Sequence, residues 1–327
     1  MNTESMNTPL LEVHDLQVRF DTPDGEVQAV RGIDFSLAAG DALAIVGESG
    51  SGKTQAMLGI LGLLAGNGRA TGRALYRGQD LMAMGETELN RHRGRDIAMI
   101  FQDPMTSLNP YLSIDKQMTE VMMHHQGLGR AEAMAHAVEM LRAVRIPDPE
   151  QRIRQYPHEF SGGMRQRILI AMGLLCEPDI LIADEPTTAL DVTVQAQIAG
   201  LVDGLRRQSE MAVILITHDL GVVAGVADRV IVMYAGEMVE YGTVEQIYYE
   251  PRHPYTQGLL RSVPRLDGRG DGALHAIPGN PPNLQMLPEG CSFRARCGKA
   301  FEACVRHPEL LELPDGHRNR CHLEQVE

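Results

Sequence analysis

At 327 residues the chain is long enough for one large domain and an appendage, and its 43% hydrophobic content is ordinary for a globular protein. A net charge of −13 excludes nonspecific attachment to nucleic acid or to an anionic membrane surface, both of which need clusters of Lys and Arg. The longest low-polarity run, Ala56 to Gly66, is too short to span a bilayer, and Met1 to Pro9 has no basic-then-apolar secretory pattern, so the chain is expected to stay in the cytoplasm. Any membrane association would run through a protein partner.

Leu16, Val18 and Phe20 alternate as in a half-buried strand, Val27 to Leu37 gives a second strand, and Asp41 to Val46 leads into a glycine-rich loop. Short apolar runs at Ile97 to Phe101, Ile180 to Ala183 and Ala212 to Thr217 read as buried parallel strands, being too short for helices and bounded by polar residues. Between Asp103 and His158 the strand-helix alternation is interrupted by a loop at Asn109-Pro110, a Met-rich segment and a helix expected over Ala131 to Val144, which reads as an inserted helical subdomain. Thr193 to Arg207 places Val194, Ile198, Leu201, Val202 and Leu205 on one helical face, with Asp191 as the expected N-cap. Met118, Met122 and Met123 read as helical core, His124-His125 as a solvated helix end, and Cys176 as core within an apolar helix. From Pro251 onward Pro and Gly become frequent and periodicity fades, so a C-terminal module is expected over 251–327 after a main domain over 10–250 with its insert at about 103–165.

Gly47-Glu48-Ser49-Gly50-Ser51-Gly52-Lys53-Thr54 has the form G-x-x-x-x-G-K-T between a strand and a helix. Such a loop turns successive backbone N–H groups toward one centre at a helix N-terminus, where they bind phosphate oxygens. Lys53 would pair with the β- and γ-phosphates, and Thr54 would offer its hydroxyl to Mg²⁺. Downstream, the apolar run Ile180 to Ala183 ends in Asp184 and Glu185. Asp184 would hold Mg²⁺ through water, and Glu185 would orient or deprotonate an attacking water.

With these residues the chain resembles the ATP-binding subunits of ATP-binding-cassette (ABC) transporters over about residues 10 to 250. The implied fold is α/β: a RecA-like P-loop core with an antiparallel β subdomain, a helical insert and a small cysteine-bearing C-terminal module. The resemblance implies that Phe20 stacks on adenine, although an aromatic at strand spacing also suits plain packing. It further implies that Gln102 reaches toward metal and water while contacting the transport subunits. Ser161, Gly162 and Gly163, followed by Gln166, match the signature that faces the γ-phosphate bound by an opposing subunit. Asp191 matches the loop that communicates across the dimer, and His218 the switch histidine at the γ-phosphate. Phe160 and Met164 depart from the commoner pattern of that signature.

A narrower resemblance, to the bacterial oligopeptide and dipeptide permease group, rests on Phe101-Gln102-Asp103-Pro104-Met105-Thr106-Ser107-Leu108-Asn109-Pro110, on His253-Pro254-Tyr255-Thr256 and on Ile277-Pro278-Gly279-Asn280-Pro281-Pro282. It implies an ATP hydrolase that energises peptide uptake from the cytoplasmic face of the membrane. The implied partners are a second, related but different ATPase, two transmembrane permease subunits and an extracytoplasmic binding protein. Nickel, glutathione or another small solute as cargo, or a soluble ABC ATPase outside transport, are the alternatives.

Cys291, Cys297, Cys304 and Cys321 are spaced C-x5-C-x6-C-x16-C, without the short knuckles of zinc ribbons. Four thiolates suit either zinc or a [4Fe-4S] cluster, with free thiols as the remaining alternative. The resemblance implies the cluster, with Arg294, Arg296 and Lys299 expected to offset its negative charge.

Overall fold

The computed structural model describes residues 9–186, 192–262 and 276–324. Its strands and helices run, in chain order, β1 (Leu11–Thr22), β2 (Gly25–Leu37), β3 (Ala42–Val46), α1 (Lys53–Ile60), β4 (Gly68–Tyr76), β5 (Gln79–Asp80), α2 (Glu86–His92), β6 (Ile97–Ile100), α3 (Pro104–Ser107), α4 (Ile114–Gln126) and α5 (Arg130–Ala143). There follow α6 (Pro149–Arg152), α7 (Gly162–Leu174), β7 (Ile180–Asp184), α8 (Val192–Ser209), β8 (Ala212–Thr217), α9 (Leu220–Val223), β9 (Arg229–Tyr234), β10 (Glu237–Thr243), α10 (Val244–Tyr249), α11 (Pro254–Ser262), β11 (Leu311–Glu312) and β12 (Arg318–Asn319). The described residues fall into two compact units, the first drawn from 1–38, 42–83 and 216–327 and the second from 39–41 and 84–215. Among the described residues no helix is long and apolar enough to cross a membrane.

In the first unit, β2, β1, β4 and β5 form an antiparallel sheet in that order. Val13, Leu16 and Val18 are buried, and the change of parity between Val13 and Leu16 is explained by a break in register there. Asp15 takes a left-handed φ of 44° at this point, the extra residue of a bulge that returns Leu16 to the core face. Helix α1 packs closely on this sheet, since a Cβ at Gly59 would lie 2.9 Å from Val18 Cγ2.

The same unit contains the strand order β11-β12-β10-β9-β3, in which β3 and β9 are parallel and pair Ala44 with Val230 and Ile45 with Ile231. Asp228 Oδ2 accepts from Ala42 N at 2.8 Å and fixes the start of β3. Ala44, Val46, Val230, Val232, Tyr234, Tyr255 and Phe293 share one core, so residues far apart in the chain close over the strand that feeds the glycine-rich loop. Glu240 on β10 is fully buried and accepts from Arg252 N at 2.7 Å, His253 N at 3.0 Å and His317 Nε2 at 2.8 Å. One carboxylate with three donors thus anchors both the segment before α11 and the chain near β12, because a buried charge must be matched by hydrogen bonds.

In the second unit β6 and β7 are parallel, Ile97 opposite Ile180 and Ile100 opposite Ala183, and β7 lies between β6 and the unit's part of β8. Ala133, Ala137 and Leu141 recur along one face of α5 and are buried with Met118 and Met122 of α4. Met123 is exposed and differs from its two neighbours because it falls off that face. His124 and His125 close α4 before Gly127. Cys176 is buried, but it lies in the turn beyond α7 and not inside a helix.

Candidate functional site

The strand-loop-helix of β3 and α1 builds the phosphate loop in the first unit. Gly52 has φ 99°, and a Cβ there would lie 2.1 Å from the Ala29 carbonyl oxygen; at Gly47 it would lie 2.2 Å from that of Met233. No other residue type fits such approaches without moving backbone. Lys53 is buried and donates from Nζ to the carbonyl oxygens of Gly47 at 2.7 Å and Glu48 at 3.0 Å, bridging the loop from end to start. Ser51 N donates to Glu48 O at 3.2 Å, and Ser51 Oγ is buried with no protein partner among the described residues. A lysine ammonium, an orphaned hydroxyl and the N-terminus of α1 fit a triphosphate chemically. Ser49 and Gly50 form the outer, exposed part of the turn, and Thr54 follows Lys53 into α1.

In the second unit Asp184 ends β7 and is 2% exposed. Glu185 follows with a left-handed φ of 45°, a conformation that costs about 1–2 kcal/mol for a residue with a side chain. That kink turns Glu185 out of the strand line and lets its Oε2 accept from Gln102 Nε2 at 2.9 Å. Gln102 lies just beyond β6, the strand paired with β7, so register between two parallel strands brings the pair together.

Ser161 caps α7, its Oγ accepting from Met164 N at 3.4 Å. Gly162 is exposed and Gly163 half-buried in the first turn, where a Cβ on Gly163 would press within 3.2 Å of Val194 Cγ1. Gln166 is 2% exposed, and its Nε2 has no protein partner among the described residues. The helix N-terminus therefore presents bare backbone to solvent. Asp191, expected both as an N-cap and in dimer communication, lies outside the described residues.

His218 is exposed immediately after β8, in a turn fixed by Asp219, whose N–H donates to Thr217 Oγ1 at 3.0 Å and whose Oδ1 accepts from Gly221 N at 2.7 Å. Phe20 is half-buried opposite Gly68, with its ring over the glycine: a Cβ at Gly68 would lie 2.6 Å from Phe20 Cε1.

The four C-terminal cysteines line one cavity of about 10 Å³ together with His253, Phe293 and His322. Burial pushes the Cys291 and Cys297 thiols up, and that of Cys321 to about 11, which disfavours the thiolate that ligation needs. Among the described residues no group of three or more His, Cys, Asp or Glu side chains could hold a metal ion. The expected [4Fe-4S] cluster, and zinc as its alternative, are corrected on this finding: the cysteines are free, with Pro254, Phe293, Leu323, the two histidines, Arg294 and Lys299 around them. The charge-offsetting role expected for the cations is corrected with it. Arg296 pairs with Glu48 instead, whereas Arg294 and Lys299 do line the cysteine cavity, Lys299 also donating from Nζ to Gln257 Oε1 at 3.0 Å.

Sequence reading missed the surroundings of Glu48. Its backbone N–H donates to Tyr255 Oη at 2.9 Å, and its carboxylate pairs with Arg296 through Nη1–Oε2 at 2.6 Å and Nη2–Oε1 at 2.9 Å. Only the repeated appearance of aromatic and basic residues after Pro251 could have hinted at it.

The family model described as "ABC transporter" matches residues 30–188, and that described as "Oligopeptide/dipeptide transporter, C-terminal region" matches residues 239–304. The chain is 56% identical over 312 residues to the oligopeptide transport ATP-binding protein OppD of Salmonella typhimurium, covering 95% of this chain and 93% of that one. It is 53% identical over 318 residues to the dipeptide transport ATP-binding protein DppD of Bacillus subtilis, covering 96% and 95%. Among solved structures it is similar to the dimeric structure of MJ0796, described as a bacterial ABC transporter cassette, with a TM-score of 0.64 at 25% identity over 72% of this chain and 98% of that one. It is also similar to cbiO1 from Clostridium perfringens, part of the ABC transporter complex cbiONQ, with a TM-score of 0.63 at 26% identity over 74% and 91%. These likenesses carry the RecA-like P-loop ATPase core with its antiparallel sheet and helical insert. Identity above one half across nearly the full length of both chains leaves one conclusion: the chain belongs to the ABC transporter family, among the ATP-binding proteins of its oligopeptide/dipeptide transporter group.

Proposed function

We propose that this chain is the ATP-binding and ATP-hydrolysing subunit of an importer that carries oligopeptides or dipeptides across the cytoplasmic membrane, working as a peripheral subunit on the cytoplasmic face. The observation that carries the reading is the phosphate loop, closed by Lys53 onto Gly47 and Glu48 at the N-terminus of α1. The cargo rests on relatives named for oligopeptide and dipeptide transport. Similarity to a dimeric cassette and to these transport proteins supports a multi-subunit transporter. The finer assignment is a second, related but different ATPase, two transmembrane permease subunits and an extracytoplasmic binding protein; nucleic acid has no part.

The loop N–H groups and Lys53 bind the β- and γ-phosphates, and Phe20 offers its ring to adenine. Mg²⁺, a hard cation, takes oxygen donors, and Thr54, Gln102 and Asp184 are the side chains assigned to it; bound, it neutralises charge on the phosphates. Glu185 orients and deprotonates the attacking water, with Gln102 holding the carboxylate by its amide hydrogen bond. His218 contacts the γ-phosphate. Ser161, Gly162, Gly163 and Gln166 present the N-terminus of α7 to the nucleotide of the opposing ATPase, and Asp191 serves communication between the two. ATP favours the closed pair because it makes contacts there that the open pair lacks, and hydrolysis removes them.

The test is reconstitution of the subunit with its permease and binding-protein partners in liposomes. ATP-dependent uptake of labelled peptide is the expected result. Uptake of nickel or glutathione with no peptide uptake would overturn the cargo, and ATPase activity that never associates with membrane subunits would overturn the transport role.

A further inference from the structure

Glu48, the second residue of the phosphate loop, is gripped at three points. Its N–H is taken by Tyr255 Oη at 2.9 Å, its C=O by Lys53 Nζ at 3.0 Å, and its carboxylate by both terminal nitrogens of Arg296. The Arg296 side chain is only 5% exposed and is itself fixed, donating from Nε to Pro278 O at 2.9 Å and standing 5.8 Å and 6.0 Å from the ring centroids of Tyr234 and Phe293. Tyr255 is fully buried, packs its ring at a tilt with its centroid 4.6 Å from that of Tyr234, and receives its backbone position from His253, whose Nδ1 accepts from Tyr255 N at 3.1 Å.

A two-pronged arginine–carboxylate pair is a rigid, directional contact, and one held inside an aromatic box keeps its geometry where a surface pair would not. Glu48 is a loop position whose backbone must be turned correctly for the following N–H groups to converge on phosphate. We infer that Arg296 and Tyr255 are positioning residues for ATP binding: the C-terminal region holds the phosphate loop in its binding shape by clamping Glu48. The inference rests on the ATP reading above. An ordinary docking salt bridge would stabilise the fold without altering nucleotide affinity, and that difference is measurable.

The experiment is an equilibrium titration of the full chain with ATP and Mg²⁺, alongside thermal melting and steady-state kinetics of the assembled complex. Tyr255→Phe removes one hydroxyl, and Arg296→Met removes the charge while keeping length. Each is expected to weaken ATP binding, Arg296→Met by about tenfold as for a lost charge-assisted hydrogen bond, with KM raised and kcat little changed. Arg296→Lys is expected to recover only part of the affinity, since an ammonium cannot reproduce the fork. Glu48→Gln combined with Arg296→Met is expected to be no worse than Arg296→Met alone, as for two halves of one contact. Should Arg296→Met fold poorly, Tyr255→Phe and Arg296→Lys carry the test. Unchanged ATP affinity in both Tyr255→Phe and Arg296→Lys would overturn the inference, whereas a wild-type chain that binds no ATP would instead overturn the function on which it rests.

Discussion

Gln102 Nε2 donates to Glu185 Oε2 across 2.9 Å, joining the second residue beyond β6 to the residue after β7. Neither residue lies in a strand. Their meeting depends on parallel pairing of Ile97–Ile100 with Ile180–Ala183 and on the left-handed backbone of Glu185. The contact fixes the direction of the carboxylate assigned to water.

Glu185→Gln is therefore expected to keep the contact with Gln102, through the new amide oxygen, while removing the base. Phosphate release should fall about 10²–10⁴-fold with ATP binding retained. Turnover assays paired with nucleotide titration check this, and normal turnover would refute the role of Glu185. Gln102→Leu should lower kcat by a smaller factor.

Lys53→Ala removes an ammonium that spans the loop as well as the assigned phosphate contact. Loss of charge-assisted bonds worth about 1.5–3 kcal/mol should weaken ATP about 10–100-fold, read by titration with a fluorescent nucleotide. Unaltered affinity would count against the loop.

Gly52→Ala sets a methyl against the Ala29 carbonyl in a backbone region that side chains avoid. A cost of about 2–4 kcal/mol is expected from strain and crowding together, lowering Tm by about 5–10 °C in a melting experiment. A melting temperature equal to that of the wild type would show that β2 and the loop are not packed as described.

His253 is fully buried, and burial pushes its imidazole down to about 4 against the attraction of nearby Glu240. The fold keeps it neutral, while the unfolded chain binds a proton at its ordinary value of 6.5. Between these values the unfolded state carries the extra proton, so stability contributed here is present above 6.5 and drains as pH falls toward 4. The advantage of the wild type over His253→Asn should narrow by on the order of 3 kcal/mol from pH 7 to pH 4, measured by denaturant titration. A pH-independent difference would contradict it.

Protein purified without oxygen is expected to carry neither labile sulfide nor stoichiometric iron or zinc, and a chelator should leave its melting temperature unchanged. Thiol titration after unfolding should find all five cysteines reduced. Bound metal at one equivalent would show instead that the four cysteines are ligands.

The glycine-rich loop before α1, the acidic pair at the end of β7 and the Ser-Gly-Gly start of α7 were legible in sequence as local structure because each is a local pattern. Glycines stand where the backbone is cramped, carboxylates follow a buried strand, and Ser161 precedes the helix it caps. The parallel strands were equally legible, since continuous apolar runs are the direct consequence of burial on both faces. The tail was misread because four cysteines in sequence show ligand type but not how they are packed against their neighbours. Only the tertiary structure decided that, together with the clamp on Glu48. Arg296 and Glu48 are separated by 248 positions, and no periodicity or spacing reports a pair created when distant segments close over one core.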